Sequence, residues 1–226
     1  MRSLYPRQPG VSLGEIADGS LRTIPSSPAD APGHGPDTVA AVPATRHRGA
    51  IGRVLEIGVG SGLNLPLYSD GVEEVIGIDI SPQLLAMAER SASLQSQRPH
   101  PRVRLLEGSA ENLPSTIADG SVDTVVVTWA LCSIPDVEAA LAEAHRVLRY
   151  NGSLRFVEHG RSPDTSVARW QDRLTPLWTC CSGGCHLNRK TDDLVRSTGF
   201  RLTHLATGYA SGPRPMAFMY EGEAIP

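Results

Sequence analysis

Three glycines and a later acid form the part of this 226-residue chain whose spacing points most clearly to chemistry. Residues 53–79 read RVLEIGVGSGLNLPLYSDGVEEVIGID, so the glycines at 58, 60 and 62 follow an apolar run. Glycines at the turn after a strand let the backbone approach a ligand closely. An acid about 20 residues further on, here Asp79, can accept hydrogen bonds from ribose hydroxyls. The stretch predicts a nucleotide-like ligand lying across the ends of two adjacent parallel strands.

The glycine spacing separates two kinds of nucleotide site. A dinucleotide fingerprint, G-x-G-x-x-G, would place its third glycine at position 63, which is Leu63, whereas the third glycine here is Gly62. The pattern is E-x-G-x-G-x-G, with Glu56 inside the end of the strand. It resembles motif I of the class I S-adenosylmethionine-dependent methyltransferases. An ordinary strand-turn-helix of some other α/β protein is the alternative that these residues leave open.

Alternating strands and helices are needed to position these residues. Apolar runs predict strands at 53–57, 74–79, 103–107, 122–128 and 153–158. One helix is expected to begin near Gly62, a second to run from Pro82 to before Pro99 with Leu84, Leu85 and Ala88 on one face, and two more to span about 135–149 and 192–198. Trp170, Leu174 and Leu177 also recur at helical spacing. Two last strands, 200–205 and 215–220, share a Gly/Pro turn and should be antiparallel. The predicted fold class is α/β: a Rossmann-like, doubly wound, seven-stranded sheet, mostly parallel with an antiparallel last strand.

The first 50 residues differ from the rest in composition. They hold seven prolines among many Gly, Ser and Ala and show no apolar periodicity. Such a segment cannot bury enough apolar surface to offset its ordering entropy. We therefore predict a disordered N-terminal segment at 1–50 and one methyltransferase domain at 51–226, with a lid over the active site as the alternative for the segment.

Charge and cysteine content restrict the partners. The net charge of −3 gives no basic excess that would indicate a nucleic-acid partner. No apolar run approaches the ~18 residues of a transmembrane segment, and no signal peptide is recognisable. Four cysteines in a chain of this size do not make a disulfide framework. A cytoplasmic protein with a small-molecule acceptor is expected; the oligomeric state is left open.

The resemblance to class I methyltransferases implies which residues bind the cofactor, S-adenosyl-L-methionine. Gly58, Gly60 and Gly62, beside Glu56, would pack against its methionine and ribose portion, and Asp79 would bind the ribose hydroxyls. The adenine would contact Ile80, Ala110 and Glu111, and Thr128 would line the methionine end. Two plainer interpretations stay open: residues 79–82 as a helix cap, and Glu111 as a solvated loop acid.

The acceptor side is expected where strands four and five end. Trp129 and Cys132 follow strand four and could form a wall of the acceptor pocket, although Cys132 could equally be a plain buried residue. His159 directly follows strand five, where it is the candidate catalytic base for a thiol or hydroxyl. A structural histidine that bonds a loop carbonyl is the alternative.

A narrower resemblance comes from the C-terminal half. Leu131-Cys132-Ser133, Glu158-His159-Gly160 and Gly184-Cys185-His186-Leu187 resemble the small methyltransferase-like proteins whose animal members methylate alkyl thiols. This implies methyl transfer to a small acceptor, with a thiol as the leading candidate. A phospholipid- or quinone-type C- or N-methyltransferase is the rival enzyme. A cofactor-binding protein with impaired turnover is a further alternative, because residues 1–50 do not resemble the helix that usually precedes motif I.

Cys180, Cys181, Cys185 and His186 form a second cluster in sequence. Zinc ligands typically come as C-x-x-C pairs, whereas two of these cysteines are adjacent and the third is four residues on. No metal site is therefore predicted, and a metal-binding module is kept as a rival. Arsenite methyltransferases also use cysteines on a class I fold, so a metalloid acceptor is another alternative.

Overall fold

The computed structural model describes residues 49–95 and 101–226. The segment predicted to be disordered lies outside these residues except for its last two. The predicted end of the first long helix, before Pro99, lies outside them as well. Ala50 is completely buried in the core beside Val54 and Tyr68, so the folded domain includes at least this residue of the segment.

A single seven-stranded sheet organises the described residues. Its strand order is β3-β2-β1-β4-β5-β7-β6. Only β7 runs antiparallel to its neighbours, β5 and β6, while the other pairs are parallel, which confirms the predicted fold class. The strands are β1 (Gly52–Ile57), β2 (Val72–Asp79), β3 (Arg102–Glu107), β4 (Val122–Thr128), β5 (Leu148–His159), β6 (Arg201–Tyr209) and β7 (Phe218–Ile225).

The sheet reverses its winding direction between β1 and β4. From β1 the chain moves outward through β2 and β3, then returns to place β4 on the other side of β1. Open α/β sheets bind ligands beyond the carboxyl ends of their strands at such a switch point. Residues that bind a ligand are therefore expected at or just after the strand ends Ile57, Asp79, Thr128 and His159.

Burial on both faces explains why the central strands are continuous apolar runs. Val54 to Ile57 in β1 and Val125 to Val127 in β4 are all at most 2% exposed. The helices that cover the sheet are α1 (Pro82–Gln95), α2 (Val137–Val147), α3 (Thr165–Cys181), α4 (Thr191–Ser197) and the short α5 (Arg214–Ala217).

The helix starts follow the capping signals in the sequence. Pro82 opens α1, and the Ser81 hydroxyl accepts the Leu84 N–H at 3.3 Å. The Asp136 carboxylate caps α2 by accepting the Ala139 N–H at 3.0 Å. In α1 Leu85 is buried, but Leu84, predicted on the same face, is 38% exposed. Consecutive residues stand about 100° apart around a helix, so the narrow buried face holds only one of them.

Two predicted elements differ from the structure after β1 and after α2. The stretch between β1 and β2, which is fully described, contains a 3₁₀ helix at Leu65–Leu67 rather than an α-helix, because Pro66 cannot donate an interior hydrogen bond. The helix predicted to run to Arg149 ends at Val147, and β5 begins at Leu148. Leu148 pairs with Val122 before the register shifts and pairing resumes at Ser153.

The end of the chain also differs from prediction. The last strand was expected at 215–220 and instead spans Phe218–Ile225, because Arg214–Ala217 forms a short helical turn. Pro213 and Pro215 favour this turn, since proline fixes a φ angle compatible with the start of a helix. The antiparallel direction of β7 is as predicted.

Candidate active site

The three glycines after β1 have different surroundings. Their φ angles are all positive, 70° at Gly58, 53° at Gly60 and 78° at Gly62, a region that favours glycine. A Cβ at Gly58 would lie 2.6 Å from the Cβ of Ala130, and one at Gly62 would lie 3.0 Å from the Cα of Ala88. A Cβ at Gly60 would have no neighbour nearer than 3.9 Å. Gly60 is therefore the glycine whose backbone faces open space beyond the sheet.

Asp79, the last residue of β2, fixes this glycine loop. Its carboxylate accepts the Gly60 N–H at 3.0 Å and the Ser81 N–H at 2.9 Å. Each carboxylate oxygen keeps a further lone pair, so the side chain can still accept ligand hydroxyls. Ile80 beside it is 74% exposed. Asp79 thus links the glycine loop to the start of α1 at the edge where a ligand can lie.

Glu56 points into the protein. It is 1% exposed, and its two oxygens accept hydrogen bonds from Asn64 Nδ2 at 2.7 Å and from the Tyr68 hydroxyl at 2.9 Å. Burial raises the pKa of Glu56 to about 7, and these two hydrogen bonds only partly oppose the shift. The residue fastens the segment after the glycines onto β1, so any part it takes in cofactor binding is through the shape of the loop.

The loop after β3 packs onto the start of α2. Ala110 is 8% exposed and belongs to the main core. Glu111 accepts the Ser109 hydroxyl at 2.9 Å with one oxygen and the Asp136 N–H at 2.7 Å with the other. The structure therefore does not show Glu111 as a solvated loop acid: it joins two loops at the carboxyl edge of the sheet.

Thr128, at the end of β4, carries a hydroxyl without a hydrogen-bond partner among the described residues. Its Oγ1 is inaccessible to solvent. Leaving a buried hydroxyl unpaired costs roughly 1–3 kcal/mol, so such a group calls for a partner. Because Oγ1 is closed off from solvent, a ligand beyond the end of β4 could pair with it only after a local shift, and the place of Thr128 at the methionine end stays a prediction.

Cys132, His159 and Cys185 come together at the ends of β4 and β5, and we call them the thiol–imidazole cluster. The Cys185 Sγ lies 3.0 Å from His159 Nε2, and the Trp178 indole N–H donates to the same sulfur at 3.2 Å. The two sulfurs and the imidazole nitrogen all lie within 4.8 Å of one another. All three side chains are buried, at 4%, 7% and 6% exposure.

The three groups of the thiol–imidazole cluster shift one another's pKa values. The Cys132 thiol, ahead of His159 and Trp178, keeps the pKa of Cys185 well below its ordinary value. The same contact with Cys185, together with burial, raises the pKa of Cys132. Burial alone would lower the pKa of His159, but the neighbouring Cys185 and Glu158 outweigh it and the net shift is upward. Contact between Cys185 and His159 thus favours a negative charge on that sulfur and a proton on the imidazole.

Trp129 next to the cluster has a strained backbone. Its φ angle is 57°, a conformation that costs a bulky L-residue roughly 1–2 kcal/mol. Its N–H is held by the Val157 carbonyl at 3.0 Å, and its ring meets that of His159 edge to face at 5.6 Å. The side chain is 51% exposed. Strain of this kind concentrates at functional sites, where surrounding contacts over-determine the conformation.

The turn that carries Cys132 is fixed from two sides. The buried Glu158 carboxylate accepts the N–H groups of Ala130 and Leu131 at 2.8 and 2.9 Å, and burial raises its pKa to about 7. From the other side the His186 N–H donates to the Cys132 carbonyl at 2.8 Å. Arg189 donates to the carbonyls of Leu131 and Ile134, the second at 2.7 Å. These bonds hold the 131–134 turn against the 182–187 loop.

Known proteins match this arrangement in sequence and in fold. Residues 55–156 match the family model described as "Methyltransferase domain". Rat thiol S-methyltransferase TMT1B is 36% identical over 139 residues, which cover 61% of this chain and 55% of that protein. A phosphatidylethanolamine N-methyltransferase from Cereibacter sphaeroides is 38% identical over 108 residues, 48% of this chain and 51% of the relative.

A solved structure agrees with these sequence matches. A methyltransferase structure from Methanosarcina mazei superposes with a TM-score of 0.62 at 22% identity, covering 76% of this chain and 91% of that one, which shows the same fold. The methyltransferase-domain match over residues 55–156, the curated relatives and the shared fold together support a class I S-adenosylmethionine-dependent methyltransferase. S-adenosyl-L-methionine is the cofactor of this class. The chain spans about half the length of the curated relatives it matches.

Within this methyltransferase domain the cysteines divide differently from the sequence pattern. Cys180 and Cys181 are exposed at the end of α3, and their sulfurs contact helix carbonyls. The His186 imidazole lies 3.2 Å from the Cys132 carbonyl. Only Cys185 of that group joins a buried cluster. The sequence gives no spacing rule for its partners, since Cys185 and His159 are 26 residues apart and meet only through the fold.

Gln171 is a buried polar residue of this domain to which the sequence analysis assigned no role. Gln171 of α3, 1% exposed, accepts the Ser162 N–H at 2.9 Å and donates to the Gly160 carbonyl at 2.8 Å. It thereby holds α3 against the segment that follows His159. Within the described residues no helix is long and apolar enough to cross a bilayer.

Gly60→Ala and Gly120→Ala form a matched pair that separates folding from ligand binding. Both glycines have φ near +55° and both would place a Cβ in open space, but Gly120 lies in a turn before β4. Each change should lower the free energy of unfolding by about 1 kcal/mol. Only Gly60→Ala should weaken the binding of S-adenosylhomocysteine, by about tenfold or more, because its methyl group enters the ligand space.

Urea unfolding and titration calorimetry measure the two quantities. Equal affinity in wild type and Gly60→Ala would contradict the position of the ligand beyond the glycine loop.

Proposed function

We propose that this methyltransferase transfers the methyl group of S-adenosyl-L-methionine to the sulfur of a small thiol. The observation that carries the proposal is the thiol–imidazole cluster next to the strained Trp129, at the end of β4 and β5 where a class I enzyme must admit its acceptor. The similarity to rat thiol S-methyltransferase TMT1B supports a thiol rather than another nucleophile.

The cofactor has a suitable place along the edge of the sheet. The open space at Gly60, the carboxylate of Asp79 and the unpaired hydroxyl of Thr128 lie at the carboxyl ends of adjacent strands. Gly60 leaves room for the ribose, Asp79 would accept its hydroxyl hydrogens, and Thr128 would bind the methionine end. Glu111 would border the adenine, together with Ile80 and Ala110. The cofactor supplies an activated methyl group on a sulfonium.

The chain must then align the acceptor and exclude water. Methyl transfer from a sulfonium is an in-line displacement, and a neutral nucleophile has to lose its proton. His159 Nε2 is engaged by Cys185 at 3.0 Å, so the two residues act as a unit rather than His159 as an isolated base. Trp129 would form the exposed wall of the acceptor pocket, and Cys132 its buried side.

A phospholipid N-methyltransferase is the second candidate. The relative from Cereibacter sphaeroides supports it, since it is 38% identical over 108 residues. A thiol and an amine both have to lose a proton, so the shifted pKa values of His159 and Cys185 do not choose between them. The thiol is favoured by the similarity to rat thiol S-methyltransferase TMT1B over a larger share of this chain. A cofactor-binding protein with impaired turnover is the remaining alternative.

We also propose a cytoplasmic location and a small-molecule partner rather than a nucleic acid. All four cysteines are free thiols, two of them in the site, and free thiols are kept in reducing compartments. The chain has no basic excess, with a net charge of −3.

An acceptor panel tests the function. Purified chain with S-adenosyl-L-methionine is offered small alkyl thiols, a phosphatidylethanolamine dispersion, a demethylated quinol and arsenite, and methylated products are measured by mass spectrometry. We expect methyl thioethers from the thiols at a rate at least tenfold above every other acceptor. Methylation of only the amine or the quinol would contradict the proposal. Binding of S-adenosylhomocysteine without any product would instead indicate the non-catalytic alternative.

A further inference from the structure

The thiol–imidazole cluster has the composition of a zinc site with an open position. Zinc sites that take a substrate have three protein ligands and a fourth position for water or substrate, and two cysteines with one histidine is a known set. Here the three ligand atoms lie within 4.8 Å of one another, and Cys185 Sγ is 3.0 Å from His159 Nε2. Sulfur and nitrogen bound to one zinc ion stand about 3.6 Å apart, so shifts below about 1 Å complete the geometry.

The backbone holds the three ligands in place. His159 ends β5 and pairs with Met219 of β7. The carbonyl of Cys132 is bound by the His186 N–H at 2.8 Å, which ties the two cysteine-bearing loops together. Metal sites are precise when their ligands sit on elements that cannot drift.

A hydrogen bond outside the three ligands also fits a metal-bound thiolate. The Trp178 indole N–H donates to the Cys185 sulfur at 3.2 Å. Donors of this kind orient a ligand and tune it from the next layer of residues. The indole belongs to α3 and is half-buried, so the contact is protected from bulk water.

We propose that Cys132, His159 and Cys185 bind one Zn²⁺ through two thiolate sulfurs and Nε2, and that the fourth position takes the sulfur of the acceptor thiol. Two thiolates and a neutral imidazole balance the charge of the ion. Imidazole and thiolate are both ligands that suit zinc, and zinc brings no redox chemistry. Metal binding is independent of the proposed function, and only the role of the fourth position rests on it.

The chemistry that follows is balanced without another reactant. The acceptor thiol binds the ion as a thiolate, and its proton passes to solvent, since a thiol that coordinates zinc is deprotonated. The acceptor sulfur then forms a bond to the methyl carbon with its own electron pair. The bond between that carbon and the sulfonium sulfur breaks, and its electron pair stays on the sulfonium sulfur. Both products are neutral thioethers, which bind zinc weakly and can leave.

Metal analysis of the full chain is the first test. The chain is expressed with zinc in the medium, purified without chelators and analysed by inductively coupled plasma mass spectrometry. We expect about one zinc ion per chain in wild type. The double variant Cys180→Ser/Cys181→Ser is the control and should also bind one, because it removes only the two exposed thiols at the end of α3. Occupancy should fall at least tenfold in Cys132→Ser and Cys185→Ser.

Cobalt replaces zinc in the second test and reports the ligands directly. Co²⁺ added to the metal-free chain should produce thiolate-to-cobalt charge-transfer bands and the strong visible bands of a tetrahedral ion. His159→Gln keeps both thiols and should weaken Co²⁺ binding by about 100-fold or more, since loss of a direct ligand exceeds the 10–100-fold typical of outer contacts. Circular dichroism shows whether each variant is folded. If a cysteine variant does not fold, His159→Gln alone tests the metal site.

The outcomes separate the metal from the function. The zinc site is overturned if the folded chain binds neither Zn²⁺ nor Co²⁺ at micromolar concentrations. Tight binding of arsenite by such a chain would show that the cluster takes a metalloid in place of zinc. Loss of the bands in Cys180→Ser/Cys181→Ser also overturns it. A small thiol such as 2-mercaptoethanol should shift the visible bands, and unchanged bands overturn the acceptor role. Intact bands with no methylation of any thiol overturn the proposed function alone.

Discussion

Asp79→Ala should reduce the affinity for S-adenosylhomocysteine by about 100-fold or more. We propose that the carboxylate accepts ribose hydroxyls of the cofactor, and a hydrogen bond to a charged group contributes roughly 1.5–3 kcal/mol. The same side chain accepts the Gly60 N–H at 3.0 Å, so its removal also loosens the glycine loop. Titration calorimetry with S-adenosylhomocysteine measures the loss.

Two further variants divide this effect into its causes. Asp79→Asn keeps an oxygen for the loop but loses the charge, so its affinity should fall between those of wild type and Asp79→Ala. Asp70→Ala removes an exposed acid of the turn before β2 and should bind like wild type. Unchanged affinity in Asp79→Ala would show that Asp79 only holds the glycine loop and the start of α1 and does not bind the ligand.

Glu56→Gln should remove a large part of the pH dependence of stability between about pH 4.5 and pH 7. Burial raises the pKa of Glu56 to about 7 from an ordinary value of 4.5. The folded chain therefore binds a proton here more tightly than the unfolded chain does. The free energy of unfolding that this preference contributes is fully present below pH 4.5 and is lost as pH rises through 7, by about 3 kcal/mol at most.

Urea unfolding at pH 4.5, 6 and 8 measures the slope in wild type and variant. Glutamine keeps the side-chain size and an acceptor oxygen, and the Tyr68 hydroxyl can accept from its amide. Glu143→Gln is the control of opposite sign, because the hydrogen bond from Arg146 lowers the pKa of Glu143. The stability that Glu143 contributes is fully present above pH 4.5 and is lost only as pH falls below that value, so Glu143→Gln should leave the slope between pH 4.5 and pH 8 unchanged. Parallel pH profiles of wild type and Glu56→Gln would contradict the raised pKa.

The sequence was a good guide wherever a local rule decides the structure. β4 spans Val122–Thr128 as predicted, because a buried parallel strand must be a continuous apolar run. The glycine at 62 rather than 63 correctly indicated the class of cofactor, since the spacing reflects the turn geometry. Ser81 and Pro82 marked the start of α1 because capping depends only on neighbouring residues.

Prediction failed where distant side chains decide. The helix expected after Gly62 is replaced by a 3₁₀ turn whose neighbours, Asn64 and Tyr68, bind Glu56 across the loop. The cysteine pattern at 180–186 suggested a group of neighbours, yet Cys185 meets His159 from another strand. No periodicity or spacing rule encodes such a contact, because the fold brings the residues together.

The hydrogen bonds between Glu111 and the start of α2 have a consequence for engineering. Glu111 binds the Asp136 N–H, and Arg189 binds the carbonyls of Ile134 and Leu131 just before it. These hydrogen bonds therefore connect the loop predicted to border the adenine with the turn that carries Cys132. Substitutions meant to change the range of acceptors are safest at Trp129, whose exposed ring can be replaced without cutting these bonds. Changes at Arg189 would disturb both halves of the site at once.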